Sequence, residues 1–190
     1  MKVKDAMQAY NAQLDVLREK RVALNKMLKD SEAGGSGLYN YDRVELSREL
    51  SSLDAQYEAV FNGREMIHET KNNIFNGEAA KQQTEAMAKY AEDIAKIMEV
   101  YRRVASGAKV PSKDEQKLMD YDFKLYMAAK QAALAAQQND EEYDSLWDDD
   151  KKDDGEQTDP EEIANETEIA VASPEAVAAD AAAAVETADA

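Results

Sequence analysis

"VFNGREMIHETKNNIFNGEAA", Val60 to Ala80, decides the fold. It holds two Asn-Gly pairs, Asn62-Gly63 and Asn76-Gly77. Asn-Gly is a turn signal, yet one glycine inside a helix costs only about 1 kcal/mol relative to alanine. Each pair is therefore either a helix end or a glycine that the helix carries. The apolar register separates the two cases. Leu46, Leu50, Leu53, Tyr57, Val60, Arg64, Ile67, Lys71 and Ile74 follow one another at alternating steps of four and three, and they pass Gly63 in register. The first pair reads as in-helix. With Arg64 and Lys71 in place of apolar residues the seam weakens, and Asn76-Gly77 reads as the break.

Upstream, a first helix is predicted from about Lys2 to Ser31. Its seam is Val3, Met7, Tyr10, Leu14, Leu17, Arg21, Leu24 and Leu28. "EAGGSGLYN" interrupts it, and Asp42 with Glu45 has the spacing of a capping box for the second helix. Downstream, Ala80, Thr84, Met87, Ala91, Ile94, Met98, Tyr101 and Ala105 outline a third helix from Glu78 to Ala105. In "SGAKVPSKDE", Gly107 suits a helix C′ position and Pro111 blocks continuation. A fourth helix is expected from Ser112, with Glu115 completing S-x-x-E, and with Leu118, Met119, Phe123, Leu125 and Tyr126 on its apolar face. Narrow stripes favour rod-like antiparallel pairing. The expected fold is all-α: an elongated antiparallel helical hairpin or bundle of long heptad-patterned helices over 1–137.

Charge divides the 190-residue chain near Gln138. Of 40 acidic residues 19 lie in 138–190, against two of the 23 basic ones, so that stretch carries the whole net charge of −17 and 1–137 is neutral. Repelling charges with little apolar area to bury predict a disordered, acidic, Ala-rich tail over 138–190. Within it, "SPEAVAADAAAAVE" has helix-forming composition, and Pro174 suits a first-turn position.

The same inventory narrows the chemistry. The chain has no cysteine, which removes disulfides, thiol nucleophiles and Cys-based zinc sites. It has one histidine, His68. Glu65 and His68 form E-x-x-H, but a dinuclear bundle site needs two such pairs. "GGSG" at 34–37 lacks the Lys-Ser/Thr pair of a phosphate loop. In "DKKDDGEQTDPE", Asp150, Asp154, Gly155, Thr158 and Glu161 fall at positions of a calcium loop, but Lys152 stands where an oxygen ligand is required. No enzyme, cofactor or specific metal is expected. A −17 tail would compete with phosphates for any basic patch, so no nucleic-acid ligand is expected either. The start lacks a signal-peptide core, and no run reaches membrane-span length. A cytoplasmic protein is the expectation, with signal-less export as the variant.

The chain's only tryptophan, Trp147, sits in "NDEEYDSLWDDDKKDDGE", Asn139 to Glu156. Tyr143, Leu146 and Trp147 would share one face of a short helix, an apolar anchor in an acidic frame. This segment either docks on a partner or folds back on its own bundle. Arg102, Arg103, Lys109, Lys113 and Lys117 form the candidate patch for a fold-back. The functional expectation is a non-enzymatic helical interaction or assembly protein, with protein partners that include a second copy of itself. Charged residues on the seams (Arg21, Arg64, Lys71) motivate the self-association. A holding chaperone or assembly scaffold for a helical client is one alternative, and a divalent-cation-binding acidic protein is the other.

Overall fold

A computed structural model describes residues 1–32, 43–136, 139–147 and 158–188. The described residues form six helices and no strand: α1 (Val3–Glu32), α2 (Arg43–Ala105), α3 (Ser112–Tyr121), α4 (Phe123–Ala135), α5 (Pro160–Glu166) and α6 (Pro174–Ala188). By contacts they fall into two units: 1–78 with 158–190, and 79–157.

The second and third predicted helices are one. α2 runs for 63 residues, on the order of 95 Å at 1.5 Å per residue. Asn76-Gly77 is therefore not a break. A glycine ends a helix by turning left-handed, and Gly107, with φ 81°, is the only glycine at positive φ among the described residues. There the expected stop is complete. Gly107 N–H donates to the Val104 carbonyl at 3.0 Å and Ala108 N–H to that of Arg103 at 3.2 Å, the paired bonds of a Schellman motif. Gly77 is instead followed by a run of helix formers, Glu78 to Gln83.

The fourth predicted helix is two. Asp122 leaves the helical region (φ −154°, ψ 107°), and its carboxylate accepts from the N–H groups of Lys124 at 2.7 Å and Leu125 at 3.2 Å, so it caps α4. The S-x-x-E box does not form. Pro111 is the N-cap of α3, which makes Ser112 the first helical residue and puts Glu115 one position beyond N3, and Pro111 has no side-chain oxygen to cap with. Glu115 instead meets Lys130 at 2.7 Å and the Tyr126 hydroxyl at 3.3 Å. The expected cap at Asp42 lies outside the described residues.

In the first unit, α1 and the first part of α2 pair along their heptad seams. Val3, Tyr10, Leu14, Leu17, Leu53, Val60 and Ile67 are buried together. Arg21–Asp54 at 2.7 Å and Arg64–Asn11 at 2.9 Å set an antiparallel register. Each charged seam residue thus has a partner within the chain: Arg21 also lies over the Tyr57 ring, Arg64 pairs with Glu65, and Lys71 meets Glu161 at 3.3 Å. Gly63 explains itself here. A Cβ on it would come within 2.5 Å of the Tyr10 ring, so its absence is what lets that ring lie on α2.

Residues 158–188, expected to be structureless, are ordered against this pair. Asp159 caps α5 and Pro160 occupies its first turn. Glu166 pairs with Lys2 and Lys4. Val3 N–H donates to the Thr167 carbonyl at 3.0 Å, Ile169 N–H to that of Met1 at 2.9 Å, and the Tyr10 hydroxyl to that of Ala172 at 3.1 Å. Ile169, Val171, Val177 and Ala178 then pack on the seam core, and α6 begins at Pro174. These few apolar residues could not build a core of their own. They need only add a layer to one already present, with lysines placed to offset the acidic charge. The most acidic run, 148–157, lies outside the described residues, as does most of the calcium-loop pattern.

Candidate functional site

The second unit is a cradle with a peptide in it. The last turns of α2, the turn at 107–111 and α3 bury Ile97, Val100, Val104 and Leu118, with Ala129 from α4. Across this surface runs Asn139–Trp147. It is extended, with a turn only at Leu146-Trp147, and not the short helix that the i, i+3, i+4 spacing suggested. A helix would satisfy its own backbone. This segment instead borrows that of Lys109, whose N–H donates to the Glu141 carbonyl at 2.8 Å and whose carbonyl accepts from Tyr143 N–H at 3.1 Å.

Trp147 is 9 % exposed and belongs to the apolar cluster, with Leu146 beside it. Its indole N–H donates to Asp93 at 3.2 Å, so burial leaves no polar atom of the ring unpaired. The ammonium of Lys117 lies 4.2 Å from the ring centroid and that of Lys96 5.8 Å. Both are within the range of cation–π attraction. Arg103 repeats the device on Tyr143 at 4.2 Å, and its guanidinium also donates to the Asp144 carbonyl at 3.4 Å.

Asp114 is the other anchor. Its residue is fully buried, and its carboxylate takes the Ser145 hydroxyl at 2.6 Å and the Leu146 N–H at 3.0 Å. Such charge-assisted bonds are roughly twice as strong as neutral ones. The Ser145 hydroxyl oxygen in turn accepts from Trp147 N–H at 3.3 Å, which closes a small network beneath the turn.

The outer end of the segment is solvated. Lys109 meets Glu142 at 2.6 Å with both side chains mostly exposed, and this pairing holds the Glu142 carboxyl below its usual range. The Tyr143 hydroxyl donates to Glu141 at 2.7 Å, which lowers the Glu141 carboxyl and raises the tyrosine. An exposed ion pair contributes about 0–1 kcal/mol, so Trp147 and Asp114 dominate the hold.

Of the residues singled out from sequence, Tyr143, Leu146 and Trp147 lie in this segment, and Arg103, Lys109 and Lys117 meet it. Arg102 pairs with Glu99 at 3.0 Å on its own helix. Lys113 lies in the first turn of α3. Asp93, Lys96 and Asp114 escaped sequence reading. Asp114 had a usable signal: it stands one helical turn before Leu118, on the buried stripe. His68 is exposed and faces Asn72 at 3.2 Å along α2.

Two recesses accompany these elements. In the second unit, Tyr90, Ile94, Ile97, Asp120 and Tyr121 border about 270 Å³ beside Trp147, and the two tyrosines are exposed by 63 % and 50 %. In the first unit, Leu24, Met27, Leu53 and Val185 line an open groove of about 780 Å³, rimmed by Lys20, Glu45 and Glu49. Among the described residues no three His, Cys, Asp or Glu side chains gather to hold a metal ion, and no helix is long and apolar enough to cross a membrane. No protein-family model, curated protein or solved structure matches this chain.

Proposed function

We propose that this chain is a non-enzymatic helical interaction or assembly protein of the cytoplasm, working through protein partners that include a second copy of itself. The observation that carries the reading is the docked Asn139–Trp147 segment. It is read side chain by side chain: an aromatic anchor in an apolar cluster, cations on both rings, and a buried carboxylate on one hydroxyl and one N–H. That is recognition chemistry applied to a peptide. Exposed Met87, Tyr90, Tyr121 and Phe123 in the same unit add apolar surface of the kind that partners cover.

Light scattering on the eluting full-length chain, joined to lysine crosslinking of the native protein, tests it. The expected result is a species heavier than 21.1 kDa or crosslinks to one dominant partner. A monomer that crosslinks only to itself at working concentration contradicts it. A holding chaperone for a helical client is the second reading. The groove of about 780 Å³ in the first unit favours it, because its apolar floor and charged rim suit an amphipathic helix.

A further inference from the structure

We infer that the cradle of the second unit is a receptor for an acidic peptide with Tyr and Trp four residues apart, carried by a separate protein, and that Asn139–Trp147 holds the site in cis. The inference rests on the interaction reading above and specifies the partner's chemistry.

The bound segment supplies the template. An incoming chain must be extended at its acidic end, because pairing with Lys109 uses the backbone on both sides of that residue. One aromatic must lie against Arg103 and the other within reach of both Lys117 and Lys96. Between them, a small hydroxyl residue must reach Asp114. Four cations (Lys96, Arg103, Lys109 and Lys117) face the peptide, so carboxylates in the ligand speed encounter and fix register. Asp93 and Asp114 are already committed to an indole N–H and to a hydroxyl with an amide, so a ligand lacking those donors leaves carboxylates uncompensated. That sets specificity.

The cis segment is built to yield. Its acidic end is held by one exposed ion pair, two backbone bonds and Arg103 on Tyr143 and Asp144, so it can peel before Trp147 leaves its place. A tethered ligand acts at an effective concentration of about millimolar, and the apparent affinity for a competitor falls with the fraction of open sites. A partner must therefore present the motif at high local density, or meet a chain whose own segment has been displaced.

The test uses the full chain and a labelled synthetic peptide, NDEEYDSLW, with fluorescence polarisation as readout. Three chains are compared: unsubstituted, Trp147→Ala, and Ser145→Glu, which sets a second carboxylate against Asp114 and leaves the apolar core intact. The peptide is expected to bind both variants at least tenfold more tightly than the unsubstituted chain. Adding Lys117→Glu, or replacing the peptide's tryptophan with alanine, should remove the gain. In the unsubstituted chain, millimolar peptide should speed exchange of the Leu146 amide. Equal binding to all chains, or no binding and no change in that amide, overturns the inference. So does dimerisation of the unsubstituted chain that Trp147→Ala abolishes, because the site would then serve a second copy's segment. Loss of peptide binding would leave the light-scattering result above untouched, so the two readings fail separately.

Discussion

Two acidic segments close two helical units, and they do it with different chemistry. In the first unit, 158–178 is fastened along its length. It uses backbone bonds at Val3 and Ile169, Lys2 and Lys4 on Glu166, a tyrosine hydroxyl on Ala172, and aliphatic side chains on the seam. In the second, 139–147 hangs on one indole and one buried carboxylate, with an outer end that is mostly solvated. Many modest contacts make a closure that resists loss of any one of them. Two dominant contacts make one that a single change can release. The first arrangement suits architecture and the second suits exchange.

The comparison breaks most visibly at Trp147. Trp147→Ala removes the anchor from a cluster it shares with Ile97, Val100 and Leu118, and should destabilise the second unit by about 3–5 kcal/mol in denaturant melts. Truncating Ile169 in the other closure should cost less, because its neighbours persist. A smaller effect is expected at Asp114. Asp114→Ala strands the Ser145 hydroxyl and the Leu146 amide, at about 1–3 kcal/mol. That loss should appear as faster exchange confined to 143–147.

The two helical glycines sharpen the comparison at a lower level. Gly63→Ala drives a methyl group into the Tyr10 ring and should destabilise by about 1–3 kcal/mol despite better helix propensity. Gly77→Ala meets nothing within 4 Å and should stabilise by up to about 1 kcal/mol. Thermal melts of the two variants should move in opposite directions.

The smallest effect expected is that of pH on the first closure. Hydrogen bonds from Lys2 and Lys4 lower the Glu166 carboxyl from 4.5 to about 2. A carboxyl depressed on folding contributes stability that is fully present above pH 4.5 and is lost as pH falls toward 2. Lys2 is raised above its ordinary 10.5 by the same partner, so its contribution is present below that value and fades as pH rises through its higher folded value. Amide exchange of 166–169 should quicken at both ends of this window. All three side chains are solvated, so the change should be modest.

Much of the helical part was legible because seam residues report directly on burial. Tyr10, Leu14 and Leu17 of α1, and Leu53, Val60 and Ile67 of α2, lie where their spacing put them. Helix ends were harder. Asn-Gly fits a left-handed stop as well as a helical glycine, and the choice depends on what lies opposite, which for Gly63 is a ring 53 positions away. Asp122 breaks the last predicted helix because its side chain caps the next one, a local competition that apolar periodicity does not register. The C-terminal closure was hidden for a different reason. Charge and low apolar content describe what 158–188 can do alone, and its order comes from a surface that α1 and α2 supply. Lys71 on the seam suggested a second chain, whereas its partner is Glu161 of the same one. At the candidate site, aromatics and cations stood out by composition. Asp93 did not, since a carboxylate that meets an indole looks in sequence like any solvated one, and Asp114 could be found only by its place one turn before Leu118 on the buried stripe.

Residue-resolved amide exchange of the full-length chain, with and without Trp147→Ala, tests the central claim most directly. The unsubstituted chain should protect the Leu146 and Ile169 amides. The variant should strip protection from 143–147 and leave Val3 and Ile169 as they were. Free exchange at both segments in the unsubstituted chain, or simultaneous loss of both in the variant, would contradict the account.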